Sequence, residues 1–230
     1  METVLSSLSE AHALILSNEP KGFGALLGFL VAMFYVTAAI IAVGAARAVM
    51  RRDIWAFIRP IEAITKFFGS ISAAIIPVLA VLIAYEVISR YAFSAPTKWA
   101  FEISYMLMGT ILMLAIAFCL QLRRHIRVDF LYDNISPKKR AMVDFVGFVF
   151  FLTPMLIWCS WGLWLYFLEA YKVNEVSGES AWNPIIWPFK FTFTFGFYLL
   201  AIQTVVEICK CVLVLMGREI PEPDAAGGFK

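Results

Sequence analysis

From Ile103 to Leu122 the chain carries no charged residue, with Glu102 before the run and Arg123 after it. About 20 helical residues at 1.5 Å each reach across a hydrocarbon core of roughly 30 Å. A stretch this long and this apolar reads as a membrane span, where every backbone N–H and C=O must find its partner within the helix itself. Runs at 23–46, 67–89, 145–168 and 191–216 are also long enough to span, the second uncharged until Glu86 and the last until Glu207. With 61% hydrophobic residues, the composition excludes an ordinary soluble domain. The expected fold is therefore all-α, an integral membrane helical bundle.

Charge placement sets the expected topology. A net charge of +2 is too small to suggest nucleic-acid binding. Segments 47–66, 121–144 and 207–230 hold 14 Lys and Arg, whereas the N-terminal tail and segments 90–102 and 169–190 hold 5. The positive-inside rule then places the first set in the cytoplasm, with the N-terminus outside and the C-terminus inside.

The chain divides accordingly. Residues 1–22 form a polar tail, whose Glu2, Glu10 and Glu19 against a single Lys21 do not make the basic start of a signal peptide, so the run at 23–46 is expected to stay attached as an N-terminal transmembrane helix. It contains Gly24-x-x-x-Gly28, a weak signal for close helix packing. Residues 47–66 read as a basic interfacial linker helix, interrupted near Pro60. Residues 67–216 hold four further spans, the first expected to kink at Pro77. Within 121–144, Ile126, Phe130, Leu131 and Ile135 suit a short helix on the membrane surface, and Ser136-Pro137 suits an N-cap with proline at the first helical position. Trp158, Trp161, Trp164 and Tyr166 suit an interfacial aromatic belt, and the 169–190 loop is expected to be structured by its prolines and anchored by Trp182 and Trp187. Residues 217–230 read as a disordered tail.

Few residues suggest chemistry. Glu86 and Arg90 stand one helical turn apart and can pair, with Arg90 and Glu102 tying an outer hairpin together or meeting a partner; ion or proton handling by Glu86 is the lesser alternative. Glu207 and Lys210 read as a pair at the opposite interface. His125 and Asp129 are one turn apart but lack a nucleophile or metal-ligand set, so they are expected to orient the surface helix while Arg123, Arg124 and Arg127 meet lipid phosphates. His12 and His125 both lie outside the spans, which excludes a bis-histidine haem, and Cys119, Cys159, Cys209 and Cys211 show no zinc or disulfide spacing. No cofactor and no catalytic residue is expected.

The ordered set Arg90, Tyr91, Trp99, Glu102, His125 and Asp129, placed on a hairpin of two spans, resembles the small membrane subunit (Q-type, DctQ-like) of tripartite ATP-independent periplasmic (TRAP) transporters. That resemblance covers roughly 67–216 and implies a four-helix family core, to which the run at 23–46 is an addition. It further implies a non-catalytic scaffold in a bacterial or archaeal inner membrane. The scaffold would support a large subunit that binds substrate and sodium, expected here as a separate chain, and would help dock a periplasmic substrate-binding protein for organic-acid uptake. On this reading Glu86, Arg90, Tyr91, Trp99 and Glu102 stabilise the hairpin or meet the partner, and Lys98, Glu169, Lys172, Glu175 and Glu179 are candidate docking residues. Two rivals stay open from the residues alone, a membrane anchor for an enzyme complex and a small homo-oligomeric channel.

Overall fold

The computed structural model describes Tyr35, Ala39, Val43, Gly44 and residues 54–122 and 135–218. The described residues are helical apart from loops and an isolated antiparallel bridge between Val176 and Ile185. Of the expected N-terminal transmembrane helix, only those four helical positions are described; its Gly24 and Gly28, and most of the surface segment after Gln121, lie outside the described residues.

Helix α1 (Trp55–Ala92) is 38 residues long and continues through both Pro60 and Pro77. The expected boundary between a surface helix and a span at residue 66 thus falls inside one helix. Proline removes one backbone hydrogen bond, but Ile58 and Ile61, on either side of Pro60, are buried in a cluster with Val206 and Leu213, which holds the helical path. At about 57 Å, α1 is longer than the hydrocarbon core; its uncharged part between Lys66 and Glu86 alone covers about 30 Å.

Helix α2 (Ala100–Gln121) returns antiparallel to α1. Next come α3 (Pro137–Val146), a π-helical turn (Gly147–Leu152) and α4 (Thr153–Lys172), which together form one span, Pro137–Lys172. Ser136 is extended before Pro137, as an N-cap should be, yet it caps through its carbonyl, which accepts from Arg140 N–H at 3.0 Å, and its side chain makes no capping bond. The wide turn has a local cause. Pro154 has no N–H for the Phe150 carbonyl and would collide with it in a regular α-helix. The register shifts instead, so that both the N–H and the hydroxyl of Thr153 donate to the Phe148 carbonyl, the latter at 2.7 Å.

Helix α5 (Trp187–Leu215) is the centre. Half of its most apolar stretch is buried, against 6% for the Pro137–Lys172 span, so the latter lies at the periphery with its apolar side chains uncovered. Helices α2, α3 and α4 pack on α5, α1 packs along α2, and the first part of α1 also reaches α5. Three glycines allow close approach: a Cβ at Gly69 would fall 2.6 Å from the Phe118 ring, one at Gly109 2.8 Å from the Phe189 ring, and one at Gly196 2.7 Å from the Met113 carbonyl oxygen. Side chains also bond across helices, Ser72 to the Ile111 carbonyl at 2.8 Å and Thr194 to the Leu163 carbonyl at 3.1 Å.

The tryptophans divide by depth. Trp158 is exposed on α4, Trp164 is partly buried against the core, and Trp182 is exposed in the loop. Trp187 does not anchor that loop at an interface. It is fully buried, packed edge-on to Tyr171 and tilted against Phe167, because α5 begins there and turns its first residue into the core.

Candidate functional site

The described charged residues gather at two ends of the bundle, with uncharged helix between. Four helices long and apolar enough to cross a membrane carry them.

At one end, α1 and α2 are joined by residues 93–99. The Ala95 N–H donates to the Ser89 carbonyl at 3.0 Å and the Ser89 hydroxyl to the Ala95 carbonyl at 2.6 Å, while Ser94 takes a positive φ of 51° to turn the chain. Glu86 lies beneath this turn. Its Oε1 accepts from Arg90 Nη2 at 2.6 Å, and its Oε2 accepts both the Thr97 hydroxyl and the Thr97 N–H. The i,i+4 pair read from sequence is therefore formed within α1, and the second carboxylate oxygen closes the hairpin through Thr97.

Glu102, expected with Arg90 to tie the hairpin together or to meet a partner, bonds to a second loop. Glu102 is fully buried in the first turn of α2, and its Oε2 accepts from the Ser177 hydroxyl at 2.6 Å, from 75 residues away. Its Oε1 has no partner among the described residues, and neither does the buried hydroxyl of Tyr105 one turn further along. Ser177 belongs to the loop 173–186, where its N–H donates to the Pro184 carbonyl at 2.9 Å. Glu175, at the start of that loop, pairs with Lys190, a buried lysine whose ammonium also sits 3.5 Å from the centre of the Tyr166 ring.

The remaining docking candidates at this end, Lys98, Glu169, Lys172 and Glu179, are exposed. Tyr91 is exposed, and Trp99 stacks on Tyr85 with ring centroids 6.1 Å apart. Arg123, Arg124, His125, Arg127 and Asp129 lie outside the described residues.

At the opposite end the pair of Glu207 and Lys210 is formed. Both are buried between α1 and α5. Lys210 Nζ lies 2.6 Å from Glu207 Oε1 and 2.6 Å from Glu62 Oε1 on α1. Gln203 donates to Glu207 Oε1 at 3.1 Å and accepts from the Thr65 hydroxyl at 3.1 Å. Desolvation of Glu207 and Lys210 costs several kcal/mol per ion, and only contacts this close offset it, while Glu62 stays partly exposed. Glu62, Thr65 and Gln203 do not stand out singly in the sequence. Their spacing is the available signal: 62 and 65 share one face of α1, and 203, 207 and 210 share one face of α5.

Ser177 and Lys190 carry no comparable signal, since their partners are brought to them by the chain's return. Among the described residues, no group of three or more His, Cys, Asp or Glu is placed to hold a metal ion.

The family model described as "Tripartite ATP-independent periplasmic transporters, DctQ component" matches residues 79–213, more than half of the chain. The match begins inside α1, takes in Glu86, Glu102 and the loop 173–186, and ends inside α5 beyond Lys210. No curated protein and no solved structure matches the chain.

Proposed function

The chain belongs to the DctQ component family of tripartite ATP-independent periplasmic transporters, and from that premise we propose that it is the non-catalytic small membrane subunit of such a transporter. It scaffolds a separate large subunit that binds sodium and substrate, and it helps a periplasmic substrate-binding protein dock for organic-acid uptake. The family match carries this reading. The uncovered apolar flanks support it: Ile76, Val78, Val81 and Ile83 on α1, Phe150 and Phe151 in the π-helical turn, and Ile157 and Trp158 on α4 lie outside the buried clusters and suit contact with lipid and with a larger membrane partner.

In this proposal the protein lies in the inner membrane with the loops 93–99 and 173–186 facing the periplasm, as the 14-to-5 asymmetry of Lys and Arg favours. The experiment is copurification of a tagged copy, expressed with its chromosomal neighbours in mild detergent, followed by sodium-driven uptake in proteoliposomes supplied with the binding protein. A stoichiometric, much larger multi-span partner and sodium-dependent uptake are the expected result. A chain that purifies alone or with a soluble enzyme overturns the proposal. Orientation has its own test: a cysteine near Glu179 should label from outside intact cells and one near Lys139 should not, and the reverse pattern inverts the topology.

A further inference from the structure

We propose that Glu102 is a positioning residue for the loop 173–186, acting through Ser177, and that it sets this loop beside the loop 93–99 as one preorganised docking surface. The inference rests on the reading that these loops meet the substrate-binding protein.

The loop 173–186 largely determines its own shape. Asn174, Gly178 and Asn183 take positive φ values of 47°, 69° and 47°, which asparagine and glycine accept at least cost. The Gly178 N–H donates to Asn183 Oδ1 at 2.7 Å, and Ile186 N–H to the Glu175 carbonyl at 2.9 Å. These bonds fold the loop on itself, and the Glu175–Lys190 pair ties its start to α5 but leaves the outer turn unplaced. Ser177 adds the placement, because its hydroxyl donates to Glu102 on α2 while its oxygen accepts the Glu179 N–H at 3.3 Å. One hydroxyl thus joins the loop's outer turn to a buried, immobile carboxylate.

The neighbouring loop is held by the same device. Glu86 holds Thr97, and only Lys98 and Trp99 separate Thr97 from the start of α2, whose first turn contains Glu102. Each loop is therefore tied to the α1–α2 hairpin by a buried carboxylate, Glu86 for one and Glu102 for the other. The surface they align presents Phe93, Lys98, Glu179 and Trp182. Aromatic and charged groups interleaved in this way suit a soluble protein's surface better than a lipid face. Holding the loops before contact removes the ordering cost that binding would otherwise incur.

The role asked of Glu102 is that of a hydrogen-bond acceptor, so the amide oxygen of glutamine should serve as well. Uptake in proteoliposomes is measured against the concentration of loaded binding protein for the full complex. Glu102→Ala and Ser177→Ala should each raise the half-saturating concentration about tenfold, the factor that a lost hydrogen bond of about 1.4 kcal/mol brings. The maximal rate and copurification of the large subunit should hold, and Glu102→Gln should stay near the parent protein. Unchanged half-saturation in both alanine variants overturns the inference, as does a Glu102→Gln variant as impaired as Glu102→Ala. Where Glu102→Ala fails to assemble, Ser177→Ala, a change in a surface loop, decides alone. Amide hydrogen exchange gives a readout independent of transport: the amides of Ser177 and Ile186 should exchange faster in Ser177→Ala than in the parent, and equal rates overturn the inference. If the parent complex itself takes up nothing, the transporter reading fails, and the exchange measurement still decides whether Glu102 positions the loop.

Discussion

The two ends of the bundle use the same side chains differently. At the Lys210 end, buried Lys210 and Glu207 on α5 meet the partly exposed Glu62 on α1, so charge joins helix to helix. At the Glu102 end, Glu86 and Glu102 each reach from a helix to a loop hydroxyl, so charge joins helix to loop. Removing a partner should damage the bundle itself at the first end and mainly its surface at the second. The difference follows from what surrounds each carboxylate. Glu207 has an ammonium whose side chain is only 6% exposed beside it, whereas the Arg90 side chain beside Glu86 is 49% exposed.

The sharpest break in this comparison is Lys210→Met, which leaves Glu62 and Glu207 close together without their shared cation. We expect a loss of about 3–5 kcal/mol, read as a large drop in the melting temperature of the purified complex. Replacing Glu62 and Glu207 by leucine in the same chain should recover most of it. A Lys210→Met protein that melts like the parent would show that this cluster does not clamp α1 to α5.

A smaller loss, about 1–3 kcal/mol, is expected for Gly196→Ala, whose new methyl would press on the Met113 backbone and push α2 from α5. Gly162 on α4 is the control, with nothing within 4 Å of its added Cβ. Gly162→Ala should raise helix stability by about 0.5–1 kcal/mol. If the same change weakens copurification of the large subunit, the uncovered face of α4 at that level is a protein interface and not a lipid face.

Arg90→Ala should have the least effect. Arg90 pairs with Glu86, but Thr97 also holds that carboxylate, and an exposed ion pair contributes little. We expect a melting shift under about 3 °C. A larger shift, or loss of the large subunit on purification, would move Arg90 from the hairpin's own stability to partner contact.

Sequence legibility followed the range of each interaction. The four spans after residue 54, the Glu86–Arg90 pair and the helix start at Pro137 are local, set by length, by 3.6-residue spacing and by proline's missing N–H, and all three are present among the described residues. The continuity of α1 through Pro60 was not legible, because burial of Ile58 and Ile61 against α5 outweighs a local breaker. Single glycines gave no packing signal either. Gly69, Gly109 and Gly196 lie in no Gly-x-x-x-Gly pair, and each is matched to a bulky residue on another helix.

Hydrophobicity and charge placement thus determined that this chain is a helical membrane protein, since the cost of exposing a backbone polar group or a charge to hydrocarbon depends on the local stretch alone. Only the tertiary structure decided which charges are buried together. Lys210 meets Glu62, and Glu102 meets Ser177, because helix packing brings remote residues within hydrogen-bond distance, and no spacing along the chain encodes that meeting.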